Sequence, residues 1–189
     1  ALLGEQLVIS IAAGIRLSDA SRWLGGYARL VRAMPNTPAL IGAGIAGLYA
    51  LPTVSAEERA RAEAVLGAVG ATVWLEDEAL LDPVTALSGS GPAYVFYFIE
   101  ALEQAGIALG LRAEVARKLA IHTLLGAAKL AASSDDPPAV LRERVTSRGG
   151  TTEAALRVFA AEGVAERIGR AVHAASSRGA ELGKLLCKD

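Results

Sequence analysis

Three short stretches hold the residues whose types and spacing could do chemistry. Residues 146–152 read TSRGGTT. Two glycines there permit close backbone approach or a positive φ, and two hydroxyls follow them. A helix is expected to begin near Glu153. Its first turn offers unpaired N–H groups and the positive dipole end, a receptor for a small carboxylate. The same pattern also suits a plain structural loop in which Thr151 or Thr152 caps the helix. Residues 88–94 read SGSGPAY, a Gly/Ser turn at another helix start. It holds G-x-G without a third glycine and without a preceding strand, so it fails the dinucleotide fingerprint. Residues 34–38 read MPNTP and follow a strand. Loops after strands form the ligand crevice of doubly wound sheets, where Asn36 and Thr37 could offer donors. The alternative is a turn held by the Asn36 side chain itself.

Other chemistries find no support. His122 and His173 fall within helices and have no acid or thiol at ligand spacing, so no metal site is expected. No Ser–His–Asp arrangement is present. The candidate loops contain hydroxyls and backbone amides but no evident general acid or base. Such a site positions and polarises a ligand and relies on a cofactor for harder chemistry.

The elements that position these loops divide the 189-residue chain in two. Residues 7–11 (LVISI), 30–32, 45–50 and 72–75 read as short strands. Residues 17–24 read as a brief helix with Ser18 or Asp19 at its cap. Residues 55–69 read as a longer helix with Ser55 and Glu58 as a capping box and Gly70 as its stop. The two prolines of MPNTP exclude a helix there. After Asp77 the β pattern ends. Residues 82–87, 92–109, 111–133, 139–145, 153–161 and 164–186 read as helices, the second capped by Ser90. This predicts a partial α/β sheet over residues 1–77, followed by an all-helical domain over 78–189.

Composition narrows the function classes. Lys plus Arg is 19 and Asp plus Glu is 20, a net charge of −1. A chain this close to neutral lacks the basic face that nucleic acid or an anionic membrane requires. Apolar residues make up 52% and aromatics only 5%, with 39 alanines, which suits closely packed helices. No apolar run approaches the ~20 residues that span a bilayer. The opening ALLGEQLVISIAAG lacks a basic start and is interrupted by Glu5 and Gln6, so a buried strand fits better than a signal peptide. The single cysteine, Cys187, permits no intrachain disulfide, consistent with a cytoplasmic location. Residues 92–109 are apolar nearly all round, and a second copy of the chain is the expected cover.

Taken in order, VRAMPNTPA, ALSGSGPAYV, LLGAAKL and VTSRGGTTEAAL resemble the Δ1-pyrroline-5-carboxylate reductase family along essentially the whole chain. The resemblance implies a Rossmann domain joined to a helical dimerisation domain. It also implies reduction of 1-pyrroline-5-carboxylate to L-proline with NADPH or NADH, by a homodimer or larger homo-oligomer. By this resemblance Thr152 is the catalytic threonine that hydrogen-bonds the substrate ring nitrogen. Ser147, Gly149, Gly150 and Thr151 match the loop that holds the substrate carboxylate, with Asp135 beside it. Met34, Pro35, Asn36 and Thr37 match a cofactor loop, and Ala12, Ala13 and Gly14 are expected to line the same crevice. Two departures stand out. Arg148 replaces a common proline, and the glycine-rich dinucleotide turn is not in the sequence. A shortened form of a longer protein, inactive by itself, is therefore expected. The rivals are a β-hydroxyacid-dehydrogenase-like oxidoreductase, which would need a lysine that VFYFIEALEQAG lacks, and a non-catalytic helical dimer.

Overall fold

A computed structural model describes residues 3–186; Cys187 lies outside them. The first part alternates strand and helix: β1 (Val8–Ser10), α1 (Leu17–Trp23), β2 (Leu30–Met34), β3 (Gly44–Ala50), α2 (Ala56–Gly67) and β4 (Gly70–Trp74). The four strands form one sheet in the order β1-β2-β3-β4. β1 and β2 are parallel, β2 and β3 antiparallel, and β3 and β4 parallel. Val31, Ala33, Leu48 and Ala50 from the two central strands form the core with Val54 and with Ala62 of α2. Strand β2 is buried through its first four residues, so its apolar run is broken only by Arg32.

The boundaries follow local chemistry with some corrections. The α2 capping box is present: the Ser55 hydroxyl accepts from Glu58 N–H at 3.2 Å, and the Glu58 carboxylate accepts from Ser55 N–H at 2.9 Å. Gly70 does not stop that helix. It opens β4 opposite Gly44, where a Cβ would lie 2.0 Å from the Gly44 carbonyl oxygen. Neither Ser18 nor Asp19 caps α1, because Arg16 holds the N-cap position and no side chain of α1 bonds back. Residues Thr37–Ile41 form a short 3₁₀ helix despite the prolines of MPNTP. Pro38 lies in its first turn, where a missing N–H is no loss.

The SGSGP segment also differs from the expected turn. A 3₁₀ turn (Glu78–Leu80), α3 (Leu81–Val84) and a π-helical turn (Thr85–Gly89) lead directly into α4 (Gly91–Ala108). Ser90 has helical dihedrals and so does not cap α4. Its N–H reaches the Thr85 carbonyl at 2.8 Å, and the hydroxyls of Thr85 and Ser88 bond back to Leu81 and Val84. Hydroxyls and glycines here sustain a widened helical turn rather than starting a new helix.

The remaining helices are α5 (Ala113–Ala132), α6 (Pro138–Arg144), α7 (Thr151–Ala161) and α8 (Val164–Leu186). The chain divides into two compact units, residues 93–169 forming one and the rest of the chain the other. In the helical unit Glu103 of α4 holds Arg117 of α5 at 2.9 and 3.1 Å, which keeps the guanidinium protonated more firmly than usual. No residue of α4 is buried, and Phe96 and Tyr97 are 65% and 70% exposed. Among the described residues, no helix is long and apolar enough to cross a membrane.

Candidate active site

The loop from Val145 to Gly150 lies between α6 and α7, and its shape is set by its glycines. Gly149 has φ +74°, a left-handed conformation that a side chain would oppose. Gly150 is extended and occupies the N-cap position of α7. Its N–H closes a turn onto the Ser147 carbonyl at 3.0 Å. The Gly149 N–H donates to the Glu153 carboxylate at 2.6 Å, and Arg157 pairs with that carboxylate at 3.1 Å.

Helix α7 therefore starts at Thr151, two residues before Glu153. Thr151 and Thr152 are its first two residues, and neither is its cap. Both are exposed. The first intrahelical bond runs from Ala154 N–H to Gly150 O, so the amides of Thr151, Thr152 and Glu153 precede it. Two amides that the loop might have offered to an anion, those of Gly149 and Gly150, are used to hold its shape. The amides and hydroxyls of Thr151 and Thr152 are what the loop presents outward.

Asp135 is exposed and lies before α6, whereas the TSRGGTT loop follows α6. Its neighbour Asp136 fastens this end instead, accepting from the Ser134 hydroxyl and pairing with Arg144. The structure thus places Ser147, Gly149 and Gly150 in the loop and Thr151 and Thr152 in the helical turn that follows it, and leaves Asp135 at the opposite end of a seven-residue helix.

The second group of predicted residues belongs to the sheet unit. Parallel pairing aligns Ser10 of β1 with Arg32 of β2, so the turn Ala12, Ala13, Gly14 and the segment Met34, Pro35, Asn36, Thr37 leave the sheet at the same edge. That edge, at the carboxyl ends of adjacent parallel strands, is where α/β sheets bind nucleotides. Ala12 and Ala13 are exposed, and their small side chains leave room for a planar ligand. Gly14 sits against α8, where a Cβ on Gly183 would come within 2.9 Å of the Gly14 carbonyl oxygen. Asn36 bridges three segments: its Nδ2 donates to Ser88 O at 3.1 Å, and its Oδ1 accepts from Ile45 N–H at 3.0 Å. One amide N–H and one lone pair of Asn36 remain, and the exposed Thr37 hydroxyl stands beside it. Met34 packs its methyl group against Gly89 of the π turn. These residues include no glycine-rich phosphate cradle.

Sequence reasoning missed the polar groups beneath these loops. Arg32 is only 3% exposed and pairs with Glu78 at 3.1 Å. A lone charge inside the apolar run LVRAM was the available signal, since a buried guanidinium requires an acid. Among the described residues, no group of three or more His, Cys, Asp or Glu could hold a metal ion.

Fold and loops define a two-part protein: a Rossmann-type sheet with loops at the carboxyl ends of its parallel strands β1 and β2, and a helical unit carrying an amide-and-hydroxyl loop. Comparison with known proteins gives the family. The family model described as pyrroline-5-carboxylate reductase dimerisation matches residues 78–182. The pyrroline-5-carboxylate reductase of Pseudomonas aeruginosa is 52% identical over 186 residues, covering 98% of this chain and 68% of the relative. That of Haemophilus influenzae is 45% identical over 179 residues, covering 94% and 66%. The solved reductase of Coxiella burnetii superposes with a TM-score of 0.92 at 43% identity, over 96% of this chain and 68% of that one. The Plasmodium falciparum enzyme, solved with NADP bound, gives 0.85 at 30% identity, over 94% and 71%. The chain belongs to the pyrroline-5-carboxylate reductase family, whose members are oxidoreductases of proline biosynthesis. It spans about two thirds of the length of the curated relatives it matches.

Proposed function

We propose that this chain supplies the substrate loop and two walls of the cofactor crevice for reduction of 1-pyrroline-5-carboxylate to L-proline by NADPH or NADH. The observation that carries this reading is the loop from Val145 to Gly150. It presents two hydroxyls and the free amides of a helix start, without an acid–base pair. The substrate's ring nitrogen, once protonated, already makes the neighbouring carbon electrophilic, so orientation and hydrogen bonding suffice. Bound nicotinamide supplies the hydride to that carbon.

The Thr152 hydroxyl hydrogen-bonds the ring nitrogen: its oxygen accepts from the N–H of the protonated imine, and its proton can be donated only once electron density returns to that nitrogen. Ser147 and Thr151, on the frame shaped by Gly149 and Gly150, hold the carboxylate. Asp135 contributes negative charge at the rim without touching the reacting atoms. Ala12, Ala13 and Gly14 form one wall of the cofactor crevice, and Met34, Pro35, Asn36 and Thr37 form the other. In this reading the cofactor domain occupies residues 1–77 and the substrate and dimerisation domain residues 78–189. The protein works in the cytoplasm as a homodimer or a multiple of it.

Proline-dependent reduction of NADP+ or NAD+ at high pH tests the activity in a protein of the relatives' full length carrying this chain. Turnover that requires both proline and nucleotide supports the reading. A folded, dimeric protein with no such turnover, and no imine reduction in the forward direction, overturns it.

A further inference from the structure

The two cofactor loops are joined beneath the surface by one carboxylate. Helix α1 has seven residues, too few to be stable by propensity, and no side chain of its own caps it. Its first amide, Leu17 N–H, instead donates to Glu78 Oε1 at 2.8 Å, across 61 positions of sequence. The same oxygen accepts from Arg32 Nη1 at 3.1 Å. Leu17 is fully buried, Arg32 nearly so, and the Glu78 side chain is 17% exposed. A carboxylate at a helix N-terminus is favoured by the helix dipole, and a buried guanidinium favours the same charge. Asp82 stands 4.0 Å from both Arg32 and Arg16, too far to replace the tie.

The position of this contact gives it consequence. The turn Ala12, Ala13, Gly14 is held at one end by the β1–β2 ladder and at the other by the start of α1. Arg32 lies two residues before Met34, where β2 releases the other loop. Glu78 touches neither loop, yet fixes the base of both.

We propose that Glu78 is a positioning residue for nicotinamide-cofactor binding, setting the spacing of the Ala12–Gly14 turn and the Met34–Thr37 loop; this rests on the functional reading above. The tie acts on the cofactor side alone. The substrate loop belongs to the other unit, so the imine's KM is not its readout.

The test uses the full-length protein carrying this chain, with three variants: Glu78→Gln, Glu78→Ala, and Arg32→Met combined with Glu78→Met. The paired variant removes both buried charges together, a change that often preserves folding, but still leaves Leu17 N–H without its acceptor. The expected result is a KM for NADPH raised on the order of tenfold in Glu78→Ala and in the paired variant. Glu78→Gln, which keeps an oxygen for Leu17, falls between these and wild type. The KM for the imine stays within about twofold, and amide exchange at Leu17 quickens in parallel with the NADPH effect. A lowered melting temperature with an unchanged NADPH KM, or equal rises in both KM values, overturns the proposal while leaving the function intact. If the wild-type protein binds neither NADPH nor NADH, the function fails, and the proposal falls with it.

Discussion

Thr152 is the residue on which the proposed chemistry turns. Its hydroxyl is exposed on the first turn of α7, and Gly150 already occupies the cap position. Thr152→Ala should therefore leave the melting temperature nearly unchanged, since no cap is removed. Loss of the proposed hydrogen bond to the ring nitrogen should cost about 1–3 kcal/mol, roughly a factor of 5 to 150 in kcat. Steady-state kinetics with a parallel melting curve checks this; a lower melting temperature with full turnover would reject the role. Gly149 offers a complementary test. A Cβ at Gly149 would meet nothing within 4 Å, so Gly149→Ala opposes only the φ of +74°. A strain of about 1–2 kcal/mol is expected. It should appear chiefly as a raised KM for the imine if the loop that Gly149 shapes receives it as proposed.

Among the elements, α2 and the β3–β4 pair show how local rules and close approach divide the fold. Ser55→Ala should cost about 1 kcal/mol in urea unfolding through loss of the cap. The same motif sets an acid dependence. The Ser55 N–H, then its hydroxyl, and then Arg29 hold the Glu58 carboxyl below its ordinary value of 4.5 against the opposing effect of burial. The folded chain thus binds this proton less readily than the unfolded one. Its stabilisation is complete above about pH 4.5 and drains as pH falls through the lower folded value. Glu58→Gln should flatten the stability–pH curve in that acidic window only. At the sheet edge, Gly70→Ala would drive a methyl group against the Gly44 backbone, which cannot rotate away. More than about 2 kcal/mol of destabilisation is expected, with β4 amides exchanging first.

For the whole molecule, the exposed apolar residues of α4 are the dominant fact. Val95, Phe96, Tyr97, Phe98 and Leu102 are all at least partly open to solvent. Surfaces of this kind mark association sites, and the family's dimerisation region spans them. Sedimentation at micromolar concentration should give at least twice the chain mass. Phe96→Glu, placing a charge within that face, should shift the equilibrium toward monomer. A wild-type chain that sediments as a well-folded monomer would refute the assignment of this face.

The sequence by itself determined the elements whose signals are local. Short β-branched apolar runs marked the strands, the Ser55–Glu58 spacing marked the α2 capping box, and threefold and fourfold apolar spacings marked α4. Residues 146–152 were legible as a candidate loop because two glycines and two hydroxyls stand before a helix start, a pattern that by itself also suits a plain structural loop. The tertiary structure decided what depends on partners distant in sequence. The Leu17 amide is capped by Glu78 rather than by Ser18 or Asp19, since a buried Arg32 brings that carboxylate to it. Gly70 begins a strand rather than ending a helix because Gly44 of the neighbouring strand leaves no room for a Cβ. The SGSGP segment continues a widened helix because the hydroxyls of Thr85 and Ser88 find carbonyls one turn back and the Ser90 amide finds one five residues back. Propensity speaks for a residue and its near neighbours along the chain. Charge burial and backbone contact between segments are settled only once the chain has folded.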